Sequence, residues 1–473
     1  MRIKIPLLKK LTAMLRSLPS IIVDNRQFDS PYGICYNLAM KFTSTRDKNN
    51  CVDFSDAILK CMPKDGGLYV PSDTEDLRKW ILYTDENTSF QSIAGTLTSA
   101  FINDEFSPII CETIAMKAFK FVPEFRQLDE NLFLLELTHG PTGRHRDFGS
   151  FYLTSVIETI LQLNGGSSVF LDVSTGELGA SLALALRGKK NIKAVLVYPK
   201  GCVRGMIESD FVWNGGNIIP VEVDGTVNDC YSLMREIFAD RKFISERHIT
   251  VANTANIGRL MPQTFFYPFA FSRIKNKIHS DIFYALAPGN YSNIVAGLYS
   301  WQFALPLNGF IVPSTDALSA DAAGNPIFLD SMVPIEKRLP ADPSSPSNLE
   351  RLEEVFSANS LMMRHFIYPV AVKDENINAA AKELFMKYNV YADRHTARGY
   401  AAYKLCCSTD KHDGFATVLI ARDHPSISEE YIRRTIGEVP EMPKTIKESF
   451  VNVKLNRPYI KSATELRAVL ESI

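Results

Sequence analysis

Among the eight cysteines of this chain no C-x-x-C spacing occurs, and only Cys406 and Cys407 are neighbours. That pattern offers no zinc or disulfide framework and fits a reducing cytoplasm. A charge excess is also missing. A formal net charge of −1 argues against nucleic acid or an anionic membrane as the main partner. No stretch reaches the roughly 18 consecutive apolar residues of a membrane-spanning helix. No internal repeat is visible. Residues 1–23 contain no acid, yet carry Arg2, Lys4, Lys9, Lys10 and Arg16. Lys9-Lys10 interrupt their apolar stretches, so they form neither a membrane span nor a secretory core, and a basic extension over residues 1–39 is expected. One more absence matters for the chemistry: no lysine occurs from Phe121 through Gly188.

What is present is a long chain of 473 residues, 46% of them hydrophobic, enough for a large core and too long for one simple domain. From Ser168 onward, short apolar runs alternate with helical stretches. Val169–Val173, Ala194–Tyr198, Ile218–Val223, His248–Ala252 and Ile282–Leu286 read as buried strands, and Glu177 to Leu186 has helical spacing. This alternation predicts βαβ units and an α/β fold with a parallel sheet covered on both faces. Ligands in such sheets bind at the carboxyl ends of the strands, near helix N-termini. Before Pro141 the texture changes to a smaller N-terminal domain, with helices expected at 53–62 and 90–103. Residues 316–348 are rich in Ala, Asp, Pro and Ser and read as a loop or insertion. The expected organisation is an extension over 1–39, an N-terminal domain over 40–135 and a central α/β region over 136–315. An insertion over 316–350 and a C-terminal α/β portion over 351–473 follow.

Ordered motifs then carry a family resemblance. They are Ser44-Thr45-Arg46, the run Asp65-Gly66-Gly67-Leu68-Tyr69-Val70-Pro71, and Phe101-Ile102-Asn103-Asp104-Glu105. Further on come His139-Gly140-Pro141-Thr142, Asn253–Leu260 and His395-Thr396-Ala397-Arg398-Gly399-Tyr400. From about Met40 to the C-terminus the chain resembles the threonine synthases. The resemblance implies pyridoxal phosphate (PLP) fold type II, the tryptophan synthase β-like α/β architecture, with a smaller N-terminal domain beside it. It also implies a PLP-dependent carbon–oxygen lyase of amino-acid biosynthesis, converting O-phosphohomoserine and water to threonine and phosphate. PLP serves there as the electron sink.

The same resemblance assigns positions. Arg146 stands where the family has the lysine that forms the Schiff base with PLP. A guanidinium stays protonated and offers no free amine for an imine. Arg146 therefore either pairs with Asp147 or a glutamate, or binds an anion. Ser174, Thr175, Gly176 and Glu177 open the loop that cradles the substrate carboxylate, with Leu178 replacing a hydroxyl. Asn256 and Arg259 fall in a substrate-side segment. Gly289, Asn290, Tyr291 and Ser292 correspond to the loop that holds the PLP phosphate. If the glycine replaced by Ser292 needs positive φ, serine strains the loop; otherwise its hydroxyl is free to donate to phosphate. Arg422 stands where a threonine meets the pyridine nitrogen.

These departures fall on contacts to one cofactor while the scaffold motifs persist. The expectation is a threonine-synthase-like protein, cytoplasmic and without a metal, in which Schiff-base catalysis is absent. The alternative is a pseudoenzyme of the same fold, either regulatory or binding a small anion such as phosphate or an amino-acid phosphate.

Overall fold

The computed structural model describes residues 42–102, 105–322, 324–357, 360–408 and 414–473. The basic stretch 1–39, and Asn103 and Asp104 of the third motif, lie outside the described residues.

The N-terminal portion pairs β1 (Phe42–Ser44) with β2 (Tyr69–Pro71) in antiparallel fashion. Helices α1 (Phe54–Lys60), α2 (Phe90–Ile102) and α3 (Pro108–Ala118) follow. An antiparallel pair, β3 (Glu124–Asp129) and β4 (Leu132–Glu136), leads into the long helix α4 (Arg146–Asn164). Next come β5 (Ser168–Val173), α5 (Glu177–Leu186), β6 (Ile192–Pro199), β7 (Ile218–Val223) and β8 (Ile249–Thr250). Helix α6 (Ile257–Thr264), β9 (Ile282–Ala285), α7 (Ser292–Gln302) and β10 (Gly309–Pro313) continue the alternation. The hairpin β11 (Leu318–Ala320) and β12 (Pro326–Phe328) precedes α8 (Leu349–Val355), β13 (Ile367–Val370), α9 (Arg394–Cys407) and β14 (Ala416–Ala421).

Two parallel sheets organise the chain. One has the order β7-β6-β5-β8; the other has the order β13-β10-β9-β14-β4-β3, with only β3 antiparallel. All six residues of β5 are buried, which is why its sequence is mostly apolar rather than alternating, with Asp172 the charged exception. Glycines end or open the helices where positive φ is needed. Gly165 (φ 76) closes α4, and Gly176 (φ 116) precedes α5, where a Cβ would overlap the Arg204 side chain.

The fold positions α4 with particular rigidity. Phe148 and Tyr152 on its inner face meet Phe90 of α2 (5.6 Å) and Phe119 just after α3 (6.1 Å). Buried Asp147 accepts from the Thr142 N–H, the Thr142 hydroxyl and the Ser181 hydroxyl of α5, each at 2.8 Å. The turn before α4 is laced to the residues after β14. His145 N donates to Arg422 O (2.8 Å), and His424 N donates to Gly143 O (2.7 Å). Residues 146 and 422, far apart in sequence, are thereby fixed beside each other.

Residues 316–350, read from composition as a loop or insertion, contain the β11–β12 hairpin and the entry to α8. Just beyond them, fully buried Arg351 donates to the carbonyls of Tyr69 (2.9 Å), Ala255 (2.9 Å) and Thr254, and to Asn348 Oδ1 (2.7 Å). One side chain thus ties α8 to β2 and to the segment before α6.

Candidate functional site

The loops that follow β4, β5, β9 and β14 all open at the carboxyl ends of their strands, and a cavity of about 380 Å³ lies between them. The structure brings Arg146, Ser174, Thr175, Glu177, Arg259, Gly289, Asn290, Ser292 and Arg422 to its wall. Gly176, Tyr291 and Asn256 are not on that wall.

Asn256 departs most from its expected substrate-side role. Its amide donates to Ile58 O (2.8 Å) and to the Thr250 hydroxyl (3.1 Å), while its oxygen accepts from Gly258 N (3.0 Å). It caps α6 and is fully buried. The expected strain at Ser292 is also relocated. Positive φ falls on Gly289 (53°) and Tyr291 (67°), whereas Ser292 begins α7. Tyr291 tolerates the left-handed conformation because its ring is buried against Phe328 at 5.6 Å. The Ser292 hydroxyl lies 3.3 Å from Gln263 Nε2, so it is already engaged. The Ser174 hydroxyl is likewise used internally, accepting from Gly176 N and Gly179 N at 3.0 Å each.

The charges of the cavity are unequal. Arg146, half exposed, lies 3.6 Å from Glu177, which Arg144 approaches more closely at 3.1 Å. Arg146 does not pair with Asp147, whose carboxylate is turned into the core. The Arg259 side chain passes over Gly149 so closely that any Cβ there would overlap its guanidinium. No hydrogen bond or ion pair of that guanidinium occurs among the described residues, and its Nε is buried without a partner. Burial, and then the Arg146 charge, lower its pKa to about 10. Arg422 Nε is also buried and unpartnered, and burial pulls the group down as well. Three guanidiniums therefore face a space in which Glu177 and Asp172 are the acids.

Sequence reasoning missed Asp172, Gln263 and the segment Ser344-Ser345-Pro346, all of which line the cavity. Asp172 had a usable signal, an acid inside an apolar strand. The Ser/Pro-rich segment had none, since its composition reads as loop and only the long-range return of the chain puts it on the wall. Asp172 accepts from Ala252 N (2.6 Å) and Asn253 Nδ2 (2.9 Å), and burial pushes its carboxyl up to about 7. A carboxyl raised in the folded state holds a proton there that it loses on unfolding. Its contribution to stability is full below the unfolded pKa and is lost as pH rises through about 7. Relative to Asp172→Asn, wild-type stability is expected to fall between about pH 4 and pH 7, by up to a few kcal/mol at about 1.4 per pKa unit, read as a lower melting temperature. A difference that stays flat with pH would return the carboxyl to the ordinary range.

The lining contains no lysine, so no side chain on the cavity wall is able to form an imine with PLP. The residues here do not fit the cofactor in its covalent form, although the loop opening α7 is retained.

Comparison with known proteins agrees with the architecture. Residues 41–119 match the family model described as "Threonine synthase N terminus", and residues 119–421 match "Pyridoxal-phosphate dependent enzyme". The chain belongs to the threonine synthase family of pyridoxal-phosphate-dependent enzymes, with PLP fold type II. It is 27% identical to the threonine synthase of Escherichia coli K12 over 420 residues, covering 86% of this chain and 94% of that protein. It is 28% identical to that of Buchnera aphidicola from Schizaphis graminum over 415 residues, covering 86% and 94%. Among solved structures, threonine synthase from Escherichia coli superposes with a TM-score of 0.73 at 24% identity, covering 92% of this chain and all (100%) of that one. PLP-bound threonine synthase from Brucella melitensis gives 0.72 at 22% identity, covering 92% and 98%. Among the described residues no helix is long and apolar enough to cross a membrane.

Proposed function

We propose that this chain is a threonine-synthase-like protein that does not carry out Schiff-base catalysis, and that its cavity serves to bind a small anion. The observation that carries the reading is Arg146 at the start of α4, on a cavity wall without lysine. The family reaction needs an amine there that a guanidinium does not supply. The anion half of the reading is supported by the buried Arg259 guanidinium, which lacks any acceptor among the described residues. The cysteines are scattered without C-x-x-C spacing, in keeping with a cytoplasmic protein.

The test is to add PLP to the purified chain, reduce with borohydride and map the peptides. No stoichiometric label on a single lysine is expected above the scattered labelling of exposed lysines, and O-phosphohomoserine should yield no threonine above the blank. A stoichiometric adduct on one lysine, with threonine formation that is lost when that lysine is changed to methionine, would overturn the reading.

A further inference from the structure

Arg422 leaves the end of β14 and lies across the cavity. One terminal nitrogen reaches His145 Nε2 at 3.3 Å. The other is 3.7 Å from the place where a Cβ on Gly289 would sit. The guanidinium thus lies between the residue beside position 146 and the loop that opens α7. By the family resemblance, a pyridoxal ring anchored at 146 with its phosphate at that loop would pass through the same space.

Arg422 is also held there. A guanidinium only donates, so His145 Nε2 is the nitrogen with the free lone pair and the proton sits on Nδ1. Nδ1 faces Asp423 Oδ1 at 3.5 Å. Burial, and then the Arg422 charge, push the His145 pKa down to about 3, so the ring is a neutral acceptor at physiological pH. The backbone bonds between 143–145 and 422–424 fix both partners. Among the residues on the cavity wall, buried Arg422 Nε and the buried Arg259 guanidinium remain as unused donors, while the unpartnered Asp423 Oδ1 belongs to the acid that follows Arg422 and attracts it. Arg146 is the common neighbour whose charge lowers the pKa of both. Such a set matches a compact, highly charged oxyanion better than a flat aromatic ring.

We propose that Arg422 is the specificity-determining residue of this cavity: its guanidinium lies in the path a pyridoxal ring would take and makes the site one for a compact phosphate, free or as a small monoester. The inference rests on the absence of Schiff-base chemistry and adds a second barrier to PLP that is independent of position 146.

The experiment is calorimetric titration of the full chain with inorganic phosphate, O-phosphohomoserine and PLP, with borohydride trapping in parallel. Wild type, R146K, R422T and the double variant are compared. Wild type is expected to bind inorganic phosphate more tightly than PLP. Tighter binding of O-phosphohomoserine than of phosphate assigns the monoester, and equal binding assigns the free ion. R422T should weaken phosphate about tenfold or more and strengthen PLP by a similar factor. R146K alone should trap no PLP, whereas R146K with R422T should trap it. If R422T fails to fold, R422Q keeps most of the bulk without the charge and should still lose phosphate. Phosphate affinity unchanged in R422Q, or PLP trapped by R146K as well as by the double variant, overturns the inference. An adduct in R146K with none in wild type sinks only this inference, whereas an adduct in wild type sinks the proposed function.

Discussion

Arg259→Met is expected to make the protein more stable and its cavity nearly unable to bind phosphate. Taking a cation out of water costs several kcal/mol, and a partner normally offsets that cost. Arg259 is 6% exposed and shows no such partner among the described residues. Asp147 and Asp172 exert some attraction, but the largest single charge effect on it is the repulsion from Arg146. Methionine has similar reach and no charge, so the change should raise stability by about 1–4 kcal/mol, in line with replacements of buried charges by apolar side chains. Phosphate affinity should fall about tenfold or more, since one charge-assisted contact of about 1.5–3 kcal/mol is lost. Thermal melting and calorimetric titration on one preparation read both effects. A lower melting temperature would show that the guanidinium is held by structural partners and is not waiting for a ligand.

Arg351→Ala has the opposite sign and the largest expected size. This guanidinium is also fully buried, but all its contacts are internal: three carbonyls and the Asn348 side chain. Truncation leaves those oxygens without donors, at about 1–3 kcal/mol for each one that water does not reach, and opens a cavity. A loss of about 3–5 kcal/mol in urea unfolding is expected. The effect should extend to the ligand site. Asn348 N donates to Asn290 O at 3.0 Å and Asn348 Nδ2 to the Thr254 hydroxyl at 3.0 Å, so the loop before α7 is braced through the same side chain. A loss below about 1 kcal/mol would mean that water replaces the guanidinium at little cost.

The two arginines differ above all in the presence of internal acceptors, and that difference was not readable from the chain. Arg259 sits in a motif, and Arg351 in an ordinary amphipathic helix. The fold was far more legible. The apolar runs at 169–173 and 218–223 and the helical spacing at 177–186 coincide with β5, β7 and α5, because buried parallel strands and amphipathic helices leave periodic traces. The site was legible where the chain turns directly from a strand into a helix, as at Ser174–Glu177 and Gly289–Ser292. It was not legible where function depends on which way a side chain points. Asn256 shares a motif with Arg259, yet one caps a helix and the other faces the cavity. Residues 344–346 join the wall through long-range bonds: Asn253 Nδ2 donates to Pro343 O at 2.7 Å and Asn290 Nδ2 to Pro346 O at 2.9 Å. Such long-range returns leave no local periodicity.

The guanidinium lying between His145 and Gly289 also bears on how the site would be rebuilt. On the reading proposed above, a lysine placed at position 146 alone meets a filled slot, and a threonine placed at position 422 alone opens a slot with no amine beside it. The two positions are therefore coupled: only the double change supplies both the space and the amine, and its effect should exceed the sum of the two single changes.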